Sequence, residues 1–394
     1  MKKKYSKQTN LVQSNFNRSN FNETSEALFL TSGFIYNSAE EAEACFNEEK
    51  RKFMYSRFSN PTIETFERKM AELEGAQSCL ATSTGMSAVF SIFMSHLKTG
   101  DRLVSGRALF GSCHHIITKI LPRFGINVEL VDGKDLNQWE KALQKKTKLV
   151  FFETPSNPCL DLVDIKSVSV LAHKAGAKVI VDNVFATPIN QKPIELGADI
   201  VMYSATKHID GQGRVLGGAI LSEKKVCEKI IKPFIRNTGP SISPFNAWVL
   251  SKSLDTLHLR VKQQNTNTEK IVSFLEKNKS VEDLIYPGNK NFDQFKLAKK
   301  QMSNGGNIIS FRIKKKKNFS EKKTAFRFLN KLKLIKISNN LGDTKSLITH
   351  PYTTTHNKLE KKEKRSLRIT ENLIRLSVGL ESCEDLITDI KQAF

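Results

Sequence analysis

Three groups of polar residues stand where predicted strands end or a predicted helix begins, and together they could do chemistry. Asp182 follows the apolar run 179–181, and Lys207 comes shortly after the run 200–203. Residues 83–86, Ser-Thr-Gly-Met, begin a predicted helix after a short apolar stretch. Ligands of α/β sheets sit beyond the carboxyl ends of the strands, and a helix start offers backbone N–H groups to an anion. We therefore expect an anionic ligand among these groups.

A carboxylate, a lysine and an anion-binding helix start are the groups that pyridoxal phosphate requires. The lysine forms an imine with the cofactor, the carboxylate keeps the pyridine nitrogen protonated, and the helix start anchors the phosphate. Taken alone, Asp182 is interpreted as a turn or cap residue and Lys207 as a surface lysine. Their occurrence together, at strand ends of one predicted sheet, favours a cofactor site.

The segment from 61 to 250 alternates short β-branched runs with helical segments, which is typical of a largely parallel sheet covered by helices. The candidate strands lie at 103–104, 128–131, 149–152, 179–181, 200–203 and 217–221. Pro61 and Gly75 bound one predicted helix, and Gly85 begins another.

The C-terminal part has its own elements. A helical stretch from about 244 to 275 contains little Gly or Pro and is predicted to connect the two parts of the chain. Beyond it we predict strands near 308–311, 334–337 and 374–378, and a last helix from about Cys383.

Length and pattern together predict the domain organisation. At 394 residues the chain exceeds the size at which single hydrophobic cores stop growing. Residues 1–60 are rich in Asn and Ser and have no strong period, so we expect an arm that docks on the neighbouring subunit or on a larger body. We predict a cofactor-binding domain at 61–250 and a C-terminal domain at 251–394.

Composition excludes several classes of protein. Hydrophobic residues make up 39% and charged residues 26%, which suits a globular protein and argues against disorder. No apolar run approaches the length of a membrane helix, and residues 5–25 contain no apolar signal-peptide region, so we expect a cytoplasmic protein without membrane contacts. The six cysteines form no C-x-x-C pair and fit neither a zinc site nor a disulfide framework, so we expect free thiols and no metal.

The net charge of +22 could mark a nucleic-acid-binding protein, and residues 314–317 form a run of four lysines. Much of the charge is Lys and is scattered along the chain. The run also follows a strand-like stretch at 307–311, so a solvated loop explains it. We predict no nucleic-acid partner, and a nucleic-acid-binding protein that keeps the fold is the alternative from another class.

Six motifs are spread over nearly the whole chain. They are YSRFSNPT at 55–62, STGMS at 83–87, ETPSNP at 153–158, VDN at 181–183, SATKH at 204–208 and RLSVGLE at 375–381. Together they resemble the cysteine and methionine metabolism family of pyridoxal-phosphate enzymes, which includes cystathionine γ-synthase, cystathionine γ-lyase, methionine γ-lyase and the acylhomoserine sulfhydrylases. The resemblance implies an α/β fold-type I (aminotransferase-like) subunit with a mostly parallel seven-stranded sheet and a smaller α+β C-terminal domain. It also implies pyridoxal 5'-phosphate as cofactor, and a dimer formed through the active sites within a tetramer.

The resemblance implies a role for each matching residue. Lys207 forms the imine and shuttles protons between Cα and Cγ, and Asp182 pairs with the pyridinium nitrogen. Asn157 lies near the ring oxygen and the substrate, with Glu153 behind it. The phosphate contacts are the N–H groups of Gly85 and Met86, the hydroxyls of Ser204 and Thr206, and Tyr55 and Arg57 from the neighbouring subunit.

Two further residues are implied to bind the substrate. Arg375 matches the arginine that binds the substrate α-carboxylate in a bidentate fork, for which a guanidinium is suited. From the residues alone, the favoured interpretation of Arg375 is a surface or C-capping arginine. Ser338 is implied to be the loop residue that assists both that carboxylate and Lys207.

The chain departs from most of the family beside the cofactor ring. Where most members carry a tyrosine followed by Gly, this chain has Phe110 and Gly111. Phe110 can stack on the cofactor but has no hydroxyl to pass a proton to the leaving group, which shifts proton handling to Lys207. Methionine γ-lyases carry a cysteine two residues after the tyrosine, where this chain has Ser112. Both differences argue against efficient lyase chemistry.

Three stretches resemble the O-succinylhomoserine sulfhydrylase branch: DGQGR at 210–214, SPFNAW at 243–248 and ISNNLGDTK at 337–345. This resemblance implies γ-replacement, in which O-succinyl-L-homoserine and sulfide give L-homocysteine and succinate in methionine biosynthesis. Cystathionine γ-synthase and O-acetylhomoserine sulfhydrylase are the alternatives. A succinyl carboxylate needs a cation, and the candidates are Arg107, Arg214 and Lys345.

Overall fold

Two β-sheets form the framework of the computed structural model, which describes residues 5–13 and 18–394. The first sheet consists of β1 (Ser78–Thr82), β2 (Arg102–Gly106), β3 (Asn127–Val131), β4 (Leu149–Glu153), β5 (Lys178–Asp182), β6 (Ile200–Ser204) and β7 (Gly218–Ser222). The second consists of β8 (Val281–Ile285), β9 (Ile308–Ile313), β10 (Lys336–Ile337), β11 (Leu347–Thr349) and β12 (Leu373–Ser377).

The seven-stranded sheet has the order β1-β7-β6-β5-β4-β2-β3. Strand β7 pairs antiparallel with both β1 and β6, and the other neighbours pair in parallel. Side chains of β5 alternate between two hydrophobic clusters, with Val179 and Val181 on one face and Ile180 on the other. A strand buried on both faces is apolar throughout, which explains the continuous runs in the sequence. The predicted mostly parallel seven-stranded α/β sheet is confirmed.

Helices cover both sheets. Their bounds are α1 (Lys7–Val12), α2 (Ala39–Phe46), α3 (Pro61–Glu74), α4 (Gly85–His96), α5 (Gly111–His115), α6 (Leu136–Ala142), α7 (Ile165–Lys174), α8 (Thr187–Asn190), α9 (Lys224–Val226), α10 (Lys232–Thr238), α11 (Pro244–Leu254), α12 (Leu257–Glu276), α13 (Phe295–Gln301), α14 (Glu321–Lys331), α15 (Lys361–Ser366) and α16 (Cys383–Ala393). The predicted start of α3 is confirmed, with the Asn60 side chain accepting the N–H of Thr62 at 2.9 Å. Its predicted end is confirmed too, because Gly75 adopts the left-handed conformation that closes the helix.

The predicted helical stretch at 244–275 is confirmed, but it is divided into two helices. The structure has two helices, α11 and α12, separated at Asp255 and Thr256, where Thr256 leaves the helical conformation (φ −107°, ψ 0°). The Asp255 carboxylate forms an ion pair with the buried Lys69 at 2.8 Å. Neither Gly nor Pro marks this break, so local sequence pattern gave no sign of it.

The N-terminal arm contains regular structure that its sequence did not indicate. Helices α1 and α2 begin after Ser6 and Ser38, whose side chains accept backbone N–H groups of the first turn. The arm is held to the body by Glu26, whose carboxylate oxygens lie 2.7 Å from Lys69 Nζ and 2.8 Å from Lys252 Nζ. Residues 1–4 and 14–17 of the predicted arm lie outside the described residues.

The second sheet contains the three predicted C-terminal strands and two unpredicted ones, β8 and β11. Strand β8 is largely exposed and carries adjacent acidic residues, and β11 has three residues, so neither gave a strand signal. Residues 314–317 form an exposed loop, as predicted. The domain boundaries at residues 60 and 250 stay predictions.

Among the described residues, no helix combines the length and the apolar character needed to cross a bilayer. Each of the six cysteines is a buried free thiol.

Candidate active site

The carboxyl ends of three neighbouring parallel strands bring the predicted groups together. Glu153 ends β4 and is the register partner of Asp182, which ends β5, and Ser204 ends β6 beside it. Helix α4 begins against the same edge, because a Cβ built on Gly85 would lie 2.6 Å from Ser204 Cβ. The sheet edge expected from the sequence is therefore where these side chains meet.

Lys207 lies in the turn that follows β6. Its amine donates a hydrogen bond to the side-chain oxygen of Asn340 at 2.5 Å. Burial, and then the positive charge of Arg375, lower the pKa of Lys207 to about 8. A lysine with so low a pKa is deprotonated more often near neutral pH, so it can act as a nucleophile or base.

Asp182 is a buried carboxylate whose Oδ1 accepts the N–H of Val184 at 3.1 Å. Burial raises the pKa of Asp182 to about 7, and the hydrogen bond from Val184 opposes that shift. A buried carboxylate with a raised pKa is stabilised by a cationic partner, which a protonated pyridine nitrogen would supply.

Glu153 accepts two backbone hydrogen bonds, one on each oxygen. The N–H of Phe110 donates to Oε2 and the N–H of Asn157 donates to Oε1, both at 2.8 Å. Burial, and then the charge of Asp182, raise the pKa of Glu153 well above its usual range.

Arg375 reaches the site from β12 of the second sheet and is buried. Its Nη1 donates to Asn157 Oδ1 at 2.9 Å, and its Nη2 donates to the Asn339 carbonyl at 2.9 Å. Burial lowers the pKa of Arg375 to about 10, which leaves it protonated at neutral pH. Its Nε is buried and has no hydrogen-bond partner among the described residues. Arg375 is thus a buried cation, and the surface and capping interpretations are excluded.

Ser338, expected to assist Lys207 and the substrate carboxylate, makes no hydrogen bond to Lys207 among the described residues, and its predicted role stays a prediction. The Lys207 amine bonds Asn340 instead, and the Ser338 hydroxyl accepts the N–H of Asn340 at 3.2 Å. The Asn340 carbonyl also accepts a hydrogen bond from Arg375 Nη2 at 3.2 Å. Asn340 therefore joins the lysine to the arginine, and Ser338 supports it.

The start of α4 offers donors to an anion. Thr84 caps this twelve-residue helix by accepting the N–H of Ser87 at 3.0 Å. In the described part of the chain, the N–H groups of Gly85 and Met86 make no hydrogen bond. Thr206, also predicted to contact the phosphate, is engaged elsewhere, because its hydroxyl accepts the N–H of Gly217 at 3.2 Å. Its phosphate contact stays a prediction.

Tyr55 and Arg57 lie near the end of the predicted arm, where Tyr55 is exposed and Arg57 is partly buried. Tyr55 is 43% exposed, and Arg57 donates to the carbonyl of Arg236. The guanidinium groups of Arg57 and Arg236 lie 4.9 Å and 3.9 Å from the ring centre of Phe58. Two guanidinium groups beside one ring suit the binding of an anion, such as the phosphate of a cofactor in a neighbouring subunit. The contact of Tyr55 and Arg57 with that subunit stays a prediction.

The residues at this edge fit pyridoxal phosphate. The free N–H groups of Gly85 and Met86 suit its phosphate, the Asp182 carboxylate suits its ring nitrogen, and the Lys207 amine suits its aldehyde. The unpartnered Nε of Arg375 leaves a donor for a bound carboxylate.

A family model for "Cys/Met metabolism PLP-dependent enzyme" matches residues 8–394 of this chain. The chain belongs to this family. Its cofactor is pyridoxal phosphate, and it is a pyridoxal-phosphate-dependent enzyme.

Relatives with more than one activity share this fold and length. An O-succinylhomoserine sulfhydrylase of Mycobacterium tuberculosis is 50% identical over 376 residues, covering 95% of this chain and 92% of the relative. An L-methionine gamma-lyase of Treponema denticola is 39% identical over 369 residues, which cover 93% of this chain and 91% of the relative. A Campylobacter jejuni structure containing N'-pyridoxyl-lysine-5'-monophosphate is 30% identical, has a TM-score of 0.93 and covers 99% of both chains. The predicted fold-type I subunit and cofactor are confirmed.

Sequence reasoning missed two residues of the site. Asn340 contacts Lys207 across 133 positions of sequence, and nothing in its local pattern indicates that contact. His356 is buried, and burial lowers its pKa to about 4, with the charge of Arg375 as the next cause. His356 is therefore uncharged at neutral pH.

Proposed function

We propose that this enzyme catalyses γ-replacement on O-succinyl-L-homoserine with sulfide, giving L-homocysteine and succinate in methionine biosynthesis. The observation that carries the proposal is the 50% identity, over 95% of the chain, to an O-succinylhomoserine sulfhydrylase. The activity named for the Treponema denticola relative, at 39% identity, is the second candidate.

Each step needs a proton moved or a charge held by the chain's own residues. When bound, pyridoxal phosphate supplies the electron sink for negative charge at the substrate Cα. Lys207, with its pKa lowered to about 8, takes the Cα proton. Arg375 holds the substrate α-carboxylate and so fixes the direction of the Cα–H bond toward Lys207. Lys207 also accepts a second proton, from Cβ. Succinate departs as the Cγ–O bond breaks, and sulfide (HS⁻) forms the new C–S bond at Cγ. Protons then return to Cβ and Cα, which completes L-homocysteine.

Phe110 supports replacement over elimination. It directly precedes α5 at the site and is 37% exposed, so its ring is available to a bound cofactor. A phenyl ring stacks but cannot donate a proton to a departing thiol. Succinate is a carboxylate and leaves without being protonated, whereas the methanethiolate that leaves methionine needs a proton. The absence of this hydroxyl therefore slows the sulfhydrylase reaction less than it slows a lyase reaction.

The three candidate cations for the succinyl carboxylate differ in their surroundings. Arg214 is taken up by a 3.0 Å ion pair with the buried Asp210. Arg107 donates to the Leu130 carbonyl at 3.4 Å. Lys345 is exposed and lies in the loop that also contains Asn340. We propose Lys345 as the cation, because among the described residues its amine forms no hydrogen bond or ion pair, whereas the guanidinium groups of the other two do.

A product assay tests the proposal. The purified enzyme is given O-succinyl- or O-acetyl-L-homoserine as donor, with sulfide or cysteine as nucleophile, and homocysteine and cystathionine are quantified separately. We expect succinyl donor with sulfide to give the highest kcat/KM. Lys345→Ala should raise KM for the succinyl donor by about tenfold, because a charge-assisted contact is lost, and leave KM for the acetyl donor unchanged.

Each alternative has its own outcome in the same assay. Faster cystathionine formation from cysteine would show that the enzyme is a cystathionine γ-synthase. A preference for the acetyl donor would show that the substrate is O-acetyl-L-homoserine. Methanethiol release from methionine at a rate matching homocysteine formation would establish a lyase instead.

A further inference from the structure

Glu153 receives backbone N–H groups from two separate loops of the site. The Phe110 N–H comes from the start of α5 and the Asn157 N–H from the loop after β4, each at 2.8 Å from a different carboxylate oxygen. The Asn157 side chain in turn accepts a hydrogen bond from Arg375. One carboxylate thus links the main chain of the aromatic residue to the residue that holds the arginine.

Burying a carboxylate costs free energy, so the buried position of Glu153 requires an explanation. Glu153 is only 4% exposed, and its register partner on the neighbouring strand is a second acidic residue, Asp182. Buried like charges are unfavourable, and burial raises the pKa of Glu153. The proposed proton transfers use Lys207 and leave Glu153 without a chemical step.

We propose that Glu153 is a positioning residue: it sets where Phe110 and Asn157 stand relative to the bound cofactor and, through Asn157, where Arg375 stands. The inference rests on the cofactor of the family and is independent of donor and nucleophile. A wrong substrate assignment would therefore leave it intact.

The geometry requires a glutamate. Two N–H donors need two acceptor oxygens at the same time, and a carboxylate has both. A glutamine has one acceptor oxygen and would turn its NH₂ group toward the other N–H donor. An aspartate is one methylene shorter and cannot reach both donors from the same backbone position.

Glu153→Gln tests this role against a matched control, Glu67→Gln. Glu67 is also a carboxyl group whose pKa burial raises, to about 8, but it accepts a single N–H, from Ala81 at 2.8 Å. A glutamine oxygen can replace that single bond. The readouts are the cofactor dissociation constant from fluorescence titration of the apoprotein, visible circular dichroism of the holoenzyme, and kcat and KM.

We expect Glu153→Gln to weaken cofactor binding by about tenfold, change the visible dichroism and lower kcat/KM by about a hundredfold, the scale of a 1 Å misplacement. Glu67→Gln should leave all three unchanged. Wild-type dichroism and cofactor affinity in Glu153→Gln would overturn the proposal.

A double-mutant cycle separates positioning from a general loss of stability. If Glu153 acts through Phe110 and Asn157, Glu153→Gln should lower kcat/KM less in a Phe110→Ala or Asn157→Ala background than in the wild type. Additive effects in both backgrounds would contradict the proposal. If Glu153→Gln does not fold, the same cycle is run with Glu153→Asp, which keeps the charge, and the same two outcomes decide it.

Discussion

The Lys207 amine and the Asn340 side-chain oxygen lie 2.5 Å apart, although 133 positions of sequence separate them. The same asparagine accepts a hydrogen bond from Arg375 through its backbone carbonyl at 3.2 Å. The lysine follows a strand of the first sheet and the arginine lies in the second. Asn340 therefore links the proposed proton-transfer group to the proposed carboxylate-binding group.

The first prediction concerns this link. Asn340→Ala should lower kcat by about tenfold to a hundredfold, since a hydrogen bond to a charged group contributes about 1.5–3 kcal/mol. Ser338→Ala is the matched control, because it removes only an acceptor for the Asn340 N–H, and it should lower kcat by about fivefold, since a neutral hydrogen bond contributes about 1 kcal/mol. Steady-state kinetics of both variants check this. A larger loss in Ser338→Ala would return the primary role to Ser338.

The second prediction concerns the pH at which apoenzyme takes up its cofactor. Only the neutral amine attacks an aldehyde, and the pKa of Lys207 is lowered to about 8. The capture rate should therefore rise with pH up to about 8 and level off above it. Visible absorbance during reconstitution measures the rate, and borohydride reduction with peptide mapping should tag Lys207.

Arg375→Gln extends this test. It removes the positive charge that, after burial, lowers the pKa of Lys207, so the midpoint should move to higher pH. A wild-type capture rate that still climbs steeply at pH 10 would show that Lys207 titrates like an exposed lysine.

Features that depend on the local sequence pattern, such as the ends of buried strands, could be predicted from the sequence. The positions of Asp182 and Lys207 at one edge of the sheet could be predicted because each follows a strand that is apolar on both faces, and such strands have a distinct signature. The Lys207–Asn340 contact and the break at Asp255 depend on tertiary packing, and no local periodicity encodes either one. Loop geometry, which includes the hydrogen bond from the Asn340 N–H to the Ser338 hydroxyl, brings the Asn340 side chain to the lysine, and the sequence of the loop does not reveal that geometry.

The third prediction concerns Asp182. Asp182→Asn should lower kcat by orders of magnitude while substrate affinity changes by about threefold or less, because an amide cannot hold the pyridine nitrogen protonated and carbanion stabilisation is needed only in the transition state. Rapid-mixing measurement of substrate binding, beside steady-state kcat, separates the two effects. A variant with near-normal turnover would remove Asp182 from this role.

The fourth prediction concerns reaction choice. Phe110→Tyr adds a hydroxyl that can protonate a leaving thiolate, so the ratio of elimination from methionine to replacement by sulfide should rise by about tenfold or more. Phe110→Leu is the control, since it removes the ring without adding a proton donor and should not raise the ratio. An unchanged ratio in Phe110→Tyr would show that the hydroxyl does not decide between the reactions.

The last prediction concerns the neighbouring subunit. If Tyr55 and Arg57 reach the phosphate of a partner across a two-fold axis, each site uses Lys207 of one subunit and Arg57 of the other. Arg57→Ala should bind cofactor weakly, since a charge-assisted contact is lost, and Lys207→Ala should be inactive. Subunits of the two variants, mixed in equal amounts and refolded with limiting cofactor, form hybrids with one site carrying both defects and one carrying neither.

Random pairing makes half of the dimers hybrid, and half of the sites in each hybrid are intact, so activity should recover to about a quarter of wild type. Mixing Lys207→Ala with Asp182→Asn is the matched control: both residues come from the same subunit's sheet edge, every hybrid site keeps one defect, and no recovery is expected. Failure of the Arg57 mixture to recover, after subunit exchange has been demonstrated by mass-labelled protomers, would mean that Arg57 acts within its own chain. A fully active monomer in sedimentation analysis would exclude a shared site altogether.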